Sequence, residues 1–194
     1  YVHIENGLPS EKPLREITLE CWLRPWRLGS NQGLITQYEN LSASGFGLYL
    51  VGKGWLKFRL GDSEESFGYW EGLGPLLAER QWHHVALTWD GKTISFYLDG
   101  KFKGSWAWKG KLRPAPVPLR LAASEKEGKA DDFFDGDLCM PAIYDRALSP
   151  AEIQDRFKSQ GLDLPKPRGN LGCWPFQEEI GEKIADISNY QRDG

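Results

Sequence analysis

Between Trp82 and Gly104 the chain alternates apolar and polar residues in three short runs, and an Asp-Gly pair stands at each junction. Val85, Leu87 and Trp89 form the first apolar row, Ile94, Phe96 and Leu98 the second, and Lys101-Phe102-Lys103 opens the third run. A period of two sends successive side chains to opposite faces of a strand. Asp90-Gly91 and Asp99-Gly100 supply the positive φ angles that tight hairpin turns need. The pattern predicts a meander of three antiparallel strands.

The same period recurs elsewhere. Ile17, Leu19, Cys21 and Leu23 alternate with Thr18, Glu20, Trp22 and Arg24 until Pro25 closes the run. Further strands are expected from Leu34 to Tyr38, Phe46 to Val51 and Trp55 to Leu60. In the last of these Leu56, Phe58 and Leu60 face one way and Lys57 and Arg59 the other, as in a hairpin with one wet face. Leu119 to Ala123 and Asp137 to Tyr144 are also strand-like, and Pro141 within the second predicts a sheet edge or a bulge. One helix is expected at Ser149-Pro150-Ala151-Glu152, where a capping serine, a first-turn proline and a capping-box glutamate precede Ile153 and Phe157; it should end near Gly161. Pro165-Lys166-Pro167-Arg168-Gly169 is a stiff linker-like stretch, and strand character returns from Leu171 to Phe176.

The length of 194 residues, 40% of them hydrophobic, fits one domain or at most two. Nine tryptophans and 22 glycines suit many short strands with large cross-strand side chains and tight turns. The net charge of -3 comes from interspersed signs, which argues against nucleic acid or an anionic membrane as partner. Cys21, Cys139 and Cys173 are too few and too scattered for a disulfide framework or a zinc site. Reduced cysteines within apolar alternation lean towards a reducing, cytoplasmic compartment. The chain starts at Tyr1 with no signal-like segment and reads as a piece cut from a longer protein.

Four segments carry a family resemblance: Ile17 to Leu23, Trp82 to Gly91, Ile94 to Gly100, and Phe134-Asp135-Gly136-Asp137 through Ile143-Tyr144-Asp145-Arg146-Ala147-Leu148-Ser149-Pro150 to Ile153. In order and spacing they resemble the laminin-G-like, concanavalin A-like lectin/glucanase superfamily. The resemblance implies an all-β jelly-roll sandwich of two antiparallel sheets, one of them concave, with a short helix after the Tyr-Arg-Leu-Ser stretch. Residues 1–163 would form this domain. Residues 164–194 would be a linker plus a returning strand, or the start of a following module. A laminin-G-like core followed by Leu171 to Phe176 and Ile184 to Ser188 also resembles the layout of the large subunit of bacterial N,N-dimethylformamidases, whose amide-hydrolysing centre lies in a separate, later region.

No catalytic constellation is expected. No Glu-x-Asp-x-Glu run places paired carboxylates on one strand face, and Glu64-Glu65 and Glu178-Glu179 are adjacent and so diverge, which argues against a glycosidase. His83-His84 diverge for the same reason: one is expected to pack at the sheet and the other to be solvated. No serine sits in a Gly-x-Ser-x-Gly elbow. Asp131, Asp132, Asp135 and Asp137 are the best candidates for calcium, but a solvated loop paired with Lys126 and Lys129 is the favoured reading, so no metal is assigned. Trp106 and Trp108 share a face, and Tyr69 and Trp70 stand with Phe67 in a Gly-rich loop; these four are the candidates for ligand or partner contact. The family resemblance implies that Trp22 is a scaffold ring beneath a loop.

The expected function is a non-catalytic binding or scaffolding module that holds domains or subunits of a larger protein together. The alternatives are a carbohydrate-binding, lectin-like domain, with or without calcium, and an accessory domain of an N,N-dimethylformamidase-like amide hydrolase.

Overall fold

The computed structural model describes residues 1–194 except 10–11, 63–66, 72–76, 166–167 and 179–181, with side chains also left aside at 62 and 67–71. Two six-stranded antiparallel sheets face each other. The first contains β1 (Val2–Ile4), β3 (Gln32–Glu39), β4 (Ser44–Val51), β5 (Trp55–Asp62), β6 (Phe67–Glu71) and β10 (Leu119–Leu121), in the order β1-β10-β3-β4-β5-β6. The second contains β2 (Ile17–Pro25), β7 (His83–Trp89), β8 (Thr93–Leu98), β9 (Lys101–Ala107), β13 (Gly136–Tyr144) and β14 (Asn170–Cys173), in the order β14-β13-β2-β7-β8-β9. A small hairpin of β11 (Ser124–Lys126) and β12 (Lys129–Asp131) lies beside β3, and helix α1 (Pro150–Lys158) packs on the outer face of the second sheet. This is the jelly-roll sandwich that the alternation and the family resemblance predict.

The core follows the alternation. Ile17, Leu19, Cys21 and Leu23 of β2 are fully buried with Val85 and Leu87 of β7, and meet Phe46, Leu48, Phe58 and Leu60 from the first sheet. Burying each such side chain contributes about 1.5–3 kcal/mol before the entropic cost of ordering it. The helix is capped as its sequence predicts: the Ser149 side chain accepts from the Glu152 backbone N–H, and the Glu152 carboxylate accepts from the Ser149 backbone N–H.

Two expectations need correction, and a third is resolved between its alternatives. Asp99 and Gly100 both take positive φ, as a two-residue turn requires, but the Asp90-Gly91 connection is a three-residue loop. There Asp90 Oδ1 accepts the backbone N–H groups of Lys92 (2.9 Å) and Thr93 (2.7 Å), so the side chain closes the turn. Of the edge or bulge expected at Pro141 the structure has the bulge, since β13 lies between β14 and β2. A register shift between Cys139 and Ala142, with Met140 at φ +51°, opens the ladder where proline has no N–H to give. Phe67 to Trp70, read as loop, form β6 against β5.

The C-terminal segment returns to the sheet. β14 pairs with β13, Trp174 is fully buried in the main core, and its indole N–H donates to the Arg192 carbonyl (2.9 Å). Asp186 organises the last turn: its carboxylate accepts from the backbone N–H groups of Cys173, Ser188 and Arg192 and from the Ser188 hydroxyl.

Candidate functional site

The outer face of the second sheet is assembled by register. Trp22 of β2 stands opposite His84 of β7 and Cys139 of β13, and Arg24 stands opposite Asp137. Because Leu19, Cys21 and Leu23 point inward, Glu20, Trp22 and Arg24 point outward with these neighbours. Helix α1 covers part of this face and leaves the end near Arg24 open.

Under the helix the charged side chains are buried and paired, while Trp22 Nε1 and His84 Nδ1 have no hydrogen-bond partner among the described residues. Glu20 and His84 are each 1% exposed. Glu20 Oε1 accepts from the Tyr144 hydroxyl (2.7 Å) and Arg156 Nε (2.8 Å), and Oε2 lies 3.2 Å from His84 Nε2. Burial works against the Glu20 charge, but the His84 hydrogen bond, the Arg156 and His84 charges and the Tyr144 hydroxyl outweigh it and hold the carboxyl below its ordinary value. Burial, reinforced by the Glu20 charge, pushes the Tyr144 phenol far up. Phe157 of α1 stacks on Trp22 with ring centroids 5.6 Å apart. This cluster fastens the helix to the sheet.

Beyond the helix the same face becomes a rim of arginine and tryptophan. Arg24 lies over the Trp82 ring, 5.2 Å from its centroid, and donates through Nε to Asp137 Oδ2 (2.7 Å). The Trp26 indole N–H donates to the same oxygen (2.8 Å), and the Trp26 backbone N–H donates to the Asp135 carbonyl (2.8 Å). Burial opposes the Asp137 charge, yet the Trp26 and Arg24 hydrogen bonds prevail and hold its carboxyl below the usual range. Arg24, Trp26, Arg27, Arg80 and Asp135 line a cleft of about 640 Å³. A second cleft, of about 280 Å³, is lined by Trp22, Trp82, Cys139 and Gln160. Trp82 lines the second cleft while touching Arg24 of the first, so the Arg24–Trp82 stack is the ridge between them.

Trp26 is 51% exposed and Trp82 43%, which sets them apart from tryptophans that fill the core. Such rings offer flat apolar platforms, and the arginines offer fixed forks of donors. Burial raises the Cys139 thiol above its ordinary value, so it stays protonated and is a poor nucleophile. The arrangement is suited to holding a ligand.

The residues singled out from sequence lie elsewhere. Trp106 is half-buried and meets Phe58 edge-on at 5.6 Å, closing the gap between the sheets. Trp108 is half-buried against Trp89 at 4.9 Å, and its carbonyl accepts from the Trp89 indole (3.1 Å). Tyr69 and Trp70 pair through their backbones with Arg59 and Phe58, but their side chains lie outside the described residues. Trp22 sits beneath α1 and not beneath a loop. His83 and His84 do diverge, but neither is simply solvated: His83 Nδ1 lies 3.1 Å from Asp99 Oδ2. The acidic cluster disperses. Asp131 pairs with Lys126 (4.0 Å), Asp132 accepts from Ser124 Oγ (3.3 Å), Asp135 faces Arg27 (3.6 Å), and Asp137 faces Arg24. Among the described residues no group of three His, Cys, Asp or Glu is placed to hold a metal ion. Trp26, Arg80 and Trp82 were missed, although Pro25-Trp26-Arg27 at the end of β2 and Arg80-Gln81-Trp82 at the start of β7 are two Arg/Trp pairs at strand ends that antiparallel pairing must bring together.

Residues 1–154 match the Concanavalin A-like lectin/glucanases superfamily. The chain belongs to this family. A curated relative from Rattus norvegicus, the sushi, von Willebrand factor type A, EGF and pentraxin domain-containing protein 1, is 30% identical over 120 residues. That match spans 57% of this chain and 3% of the relative. Among solved structures, a Bacteroides ovatus protein proposed to bind carbohydrate superposes with a TM-score of 0.75 at 16% identity, covering 98% of this chain and 54% of that one. The CBM40 of the Ruminococcus gnavus IT-sialidase, bound to α2,3-sialyllactose, gives 0.62 at 15% identity, covering 80% and 91%. At such identities the structural likeness speaks for the fold. The segments that resemble the dimethylformamidase subunit, Leu171 to Phe176 and Ile184 to Ser188, lie outside the residues matched to the family.

Proposed function

We propose that this chain is a non-catalytic carbohydrate-binding module of a larger protein, and that it takes its ligand at the rim formed by Arg24, Trp26, Arg27, Arg80 and Trp82. The observation that carries the reading is the pair of exposed tryptophans flanking an arginine-lined cleft. A sugar ring has an apolar face of C–H groups and an edge of hydroxyls. Trp82 and Trp26 suit the face, and the arginine forks suit the edge. The fold's likeness to the Bacteroides ovatus protein and to the sialidase CBM40 supports the ligand class. Catalysis, if the parent protein has it, would reside outside this chain, since the rim's carboxylates are engaged by arginine and its thiol is held protonated.

The test is a glycan array followed by calorimetric titration of the best ligand. Trp82→Ala should weaken binding at least tenfold while the circular dichroism spectrum is retained. An array with no bound glycan of any class would remove the reading.

A further inference from the structure

Building on the rim as a carbohydrate site, we infer that its ligand is an acidic sugar: one ring rests on the Trp82 side of the ridge, and a carboxylate is received by Arg80 and Arg27 in the larger cleft. The inference rests on how the charges of that cleft are distributed. Three arginines and one aspartate line it. Arg24 is committed, donating to Asp137 at 2.7 Å while lying over Trp82. Arg27 is loosely held: its Nε lies 3.6 Å from Asp135, beyond hydrogen-bond reach, and its side chain is 85% exposed. Arg80 is exposed and has no ion-pair partner among the described residues. The cleft therefore presents one guanidinium without an ion-pair partner among the described residues and one weakly engaged one, whose planar forks match a carboxylate.

Two further observations point the same way. Arg80 takes φ +60°, a conformation that disfavours a side chain, and its backbone N–H is fixed by the Pro25 carbonyl at 2.6 Å. Glycine would relieve that strain, so the cleft carries an arginine at a position where the backbone favours its absence. Across the ridge, the Trp22 indole N–H is buried without an acceptor among the described residues, and Trp22 lines the smaller cleft. A ring lying against Trp82 could offer it a hydroxyl or ring oxygen. The two adjoining clefts thus supply complementary needs: an acceptor on the apolar side and an anion on the cationic side.

The test uses an array on which neutral glycans stand beside their sialylated and uronate-bearing counterparts, with titration of matched pairs. The acidic member should bind at least tenfold more tightly than its neutral partner, and that ratio should shrink as salt is raised. Arg80→Ala should reduce the ratio at least fivefold. Arg80→Gly should do the same with a melting temperature at or above that of the parent, because glycine accepts the positive φ; this variant keeps the result readable if the alanine variant folds poorly. Equal affinity for both members, with both lost in Trp82→Ala, would overturn the acidic ligand and leave the carbohydrate module standing. An acidic preference that persists in both Arg80 variants would overturn the assignment of the carboxylate. Absence of binding to every glycan would remove the inference together with the reading on which it rests.

Discussion

Under α1, Glu20, Tyr144, Arg156 and His84 Nε2 direct their polar atoms at one another, whereas at the rim of the same sheet Arg80, the Trp26 ring and the part of Trp82 that Arg24 does not cover are left to solvent. Both regions draw on the same strands and on the same residue types: arginine, carboxylate and tryptophan. The helix makes the difference. Where it excludes water, an unpaired charge is costly, so charged groups are matched and their role is cohesive. Where it stops, water satisfies what the protein leaves unmatched, and a guanidinium can stay free for a ligand. Residue type does not separate a structural arginine such as Arg156 from an available one such as Arg80. Coverage does.

The largest effect belongs to the covered region. Glu20→Gln should destabilise the fold by about 3–5 kcal/mol, because Arg156 loses its buried counter-charge; urea denaturation at neutral pH measures it. Ser149→Ala, which removes the cap that starts the covering helix, should cost about 1 kcal/mol in the same measurement. Trp82→Ala should cost only about 0.5–1 kcal/mol, the size of an exposed cation–π contact, while greatly weakening ligand binding. A Trp82 loss as large as that of Glu20 would break the distinction by making the rim structural.

The smallest effect is titrational. Arg146, together with the Ser149 backbone and hydroxyl, lowers the Glu152 carboxyl to about 2 from an ordinary 4.5, against a burial that opposes the charge. A folded value below the unfolded one means that this stability is present above pH 4.5 and is lost as pH falls towards 2. Glu20 acts with the same sign. Glu152→Gln should therefore flatten the acid limb of the stability curve slightly, while keeping a side chain able to cap the helix.

Local features were legible where the deciding forces act within a few residues. The alternation of Ile17 to Leu23 set which side of β2 faces the core, and Ser149 to Glu152 marked the helix start by its capping chemistry. Legibility failed where a distant partner decides. Pro141 is tolerated inside a sheet because a bulge spares the missing N–H and because Trp174, more than thirty positions later, brings its N–H to the Pro141 carbonyl at 3.1 Å. The strand face expected for Trp106 and Trp108 stops short, because β9 ends at Ala107, and Phe58 and Trp89 pack against the two rings.

The sequence alone was enough for a jelly-roll sandwich with one short helix, since period-two alternation, Asp-Gly turns and a capping box are local signals that agree with one another. It also contained all nine tryptophans without ranking them. Which of them meet solvent beside a free arginine was decided by the β2–β7 register and by where α1 comes to rest. Exposure is a property of what lies above a residue, and that covering element is supplied by chain more than a hundred residues away from Arg24 and Trp26.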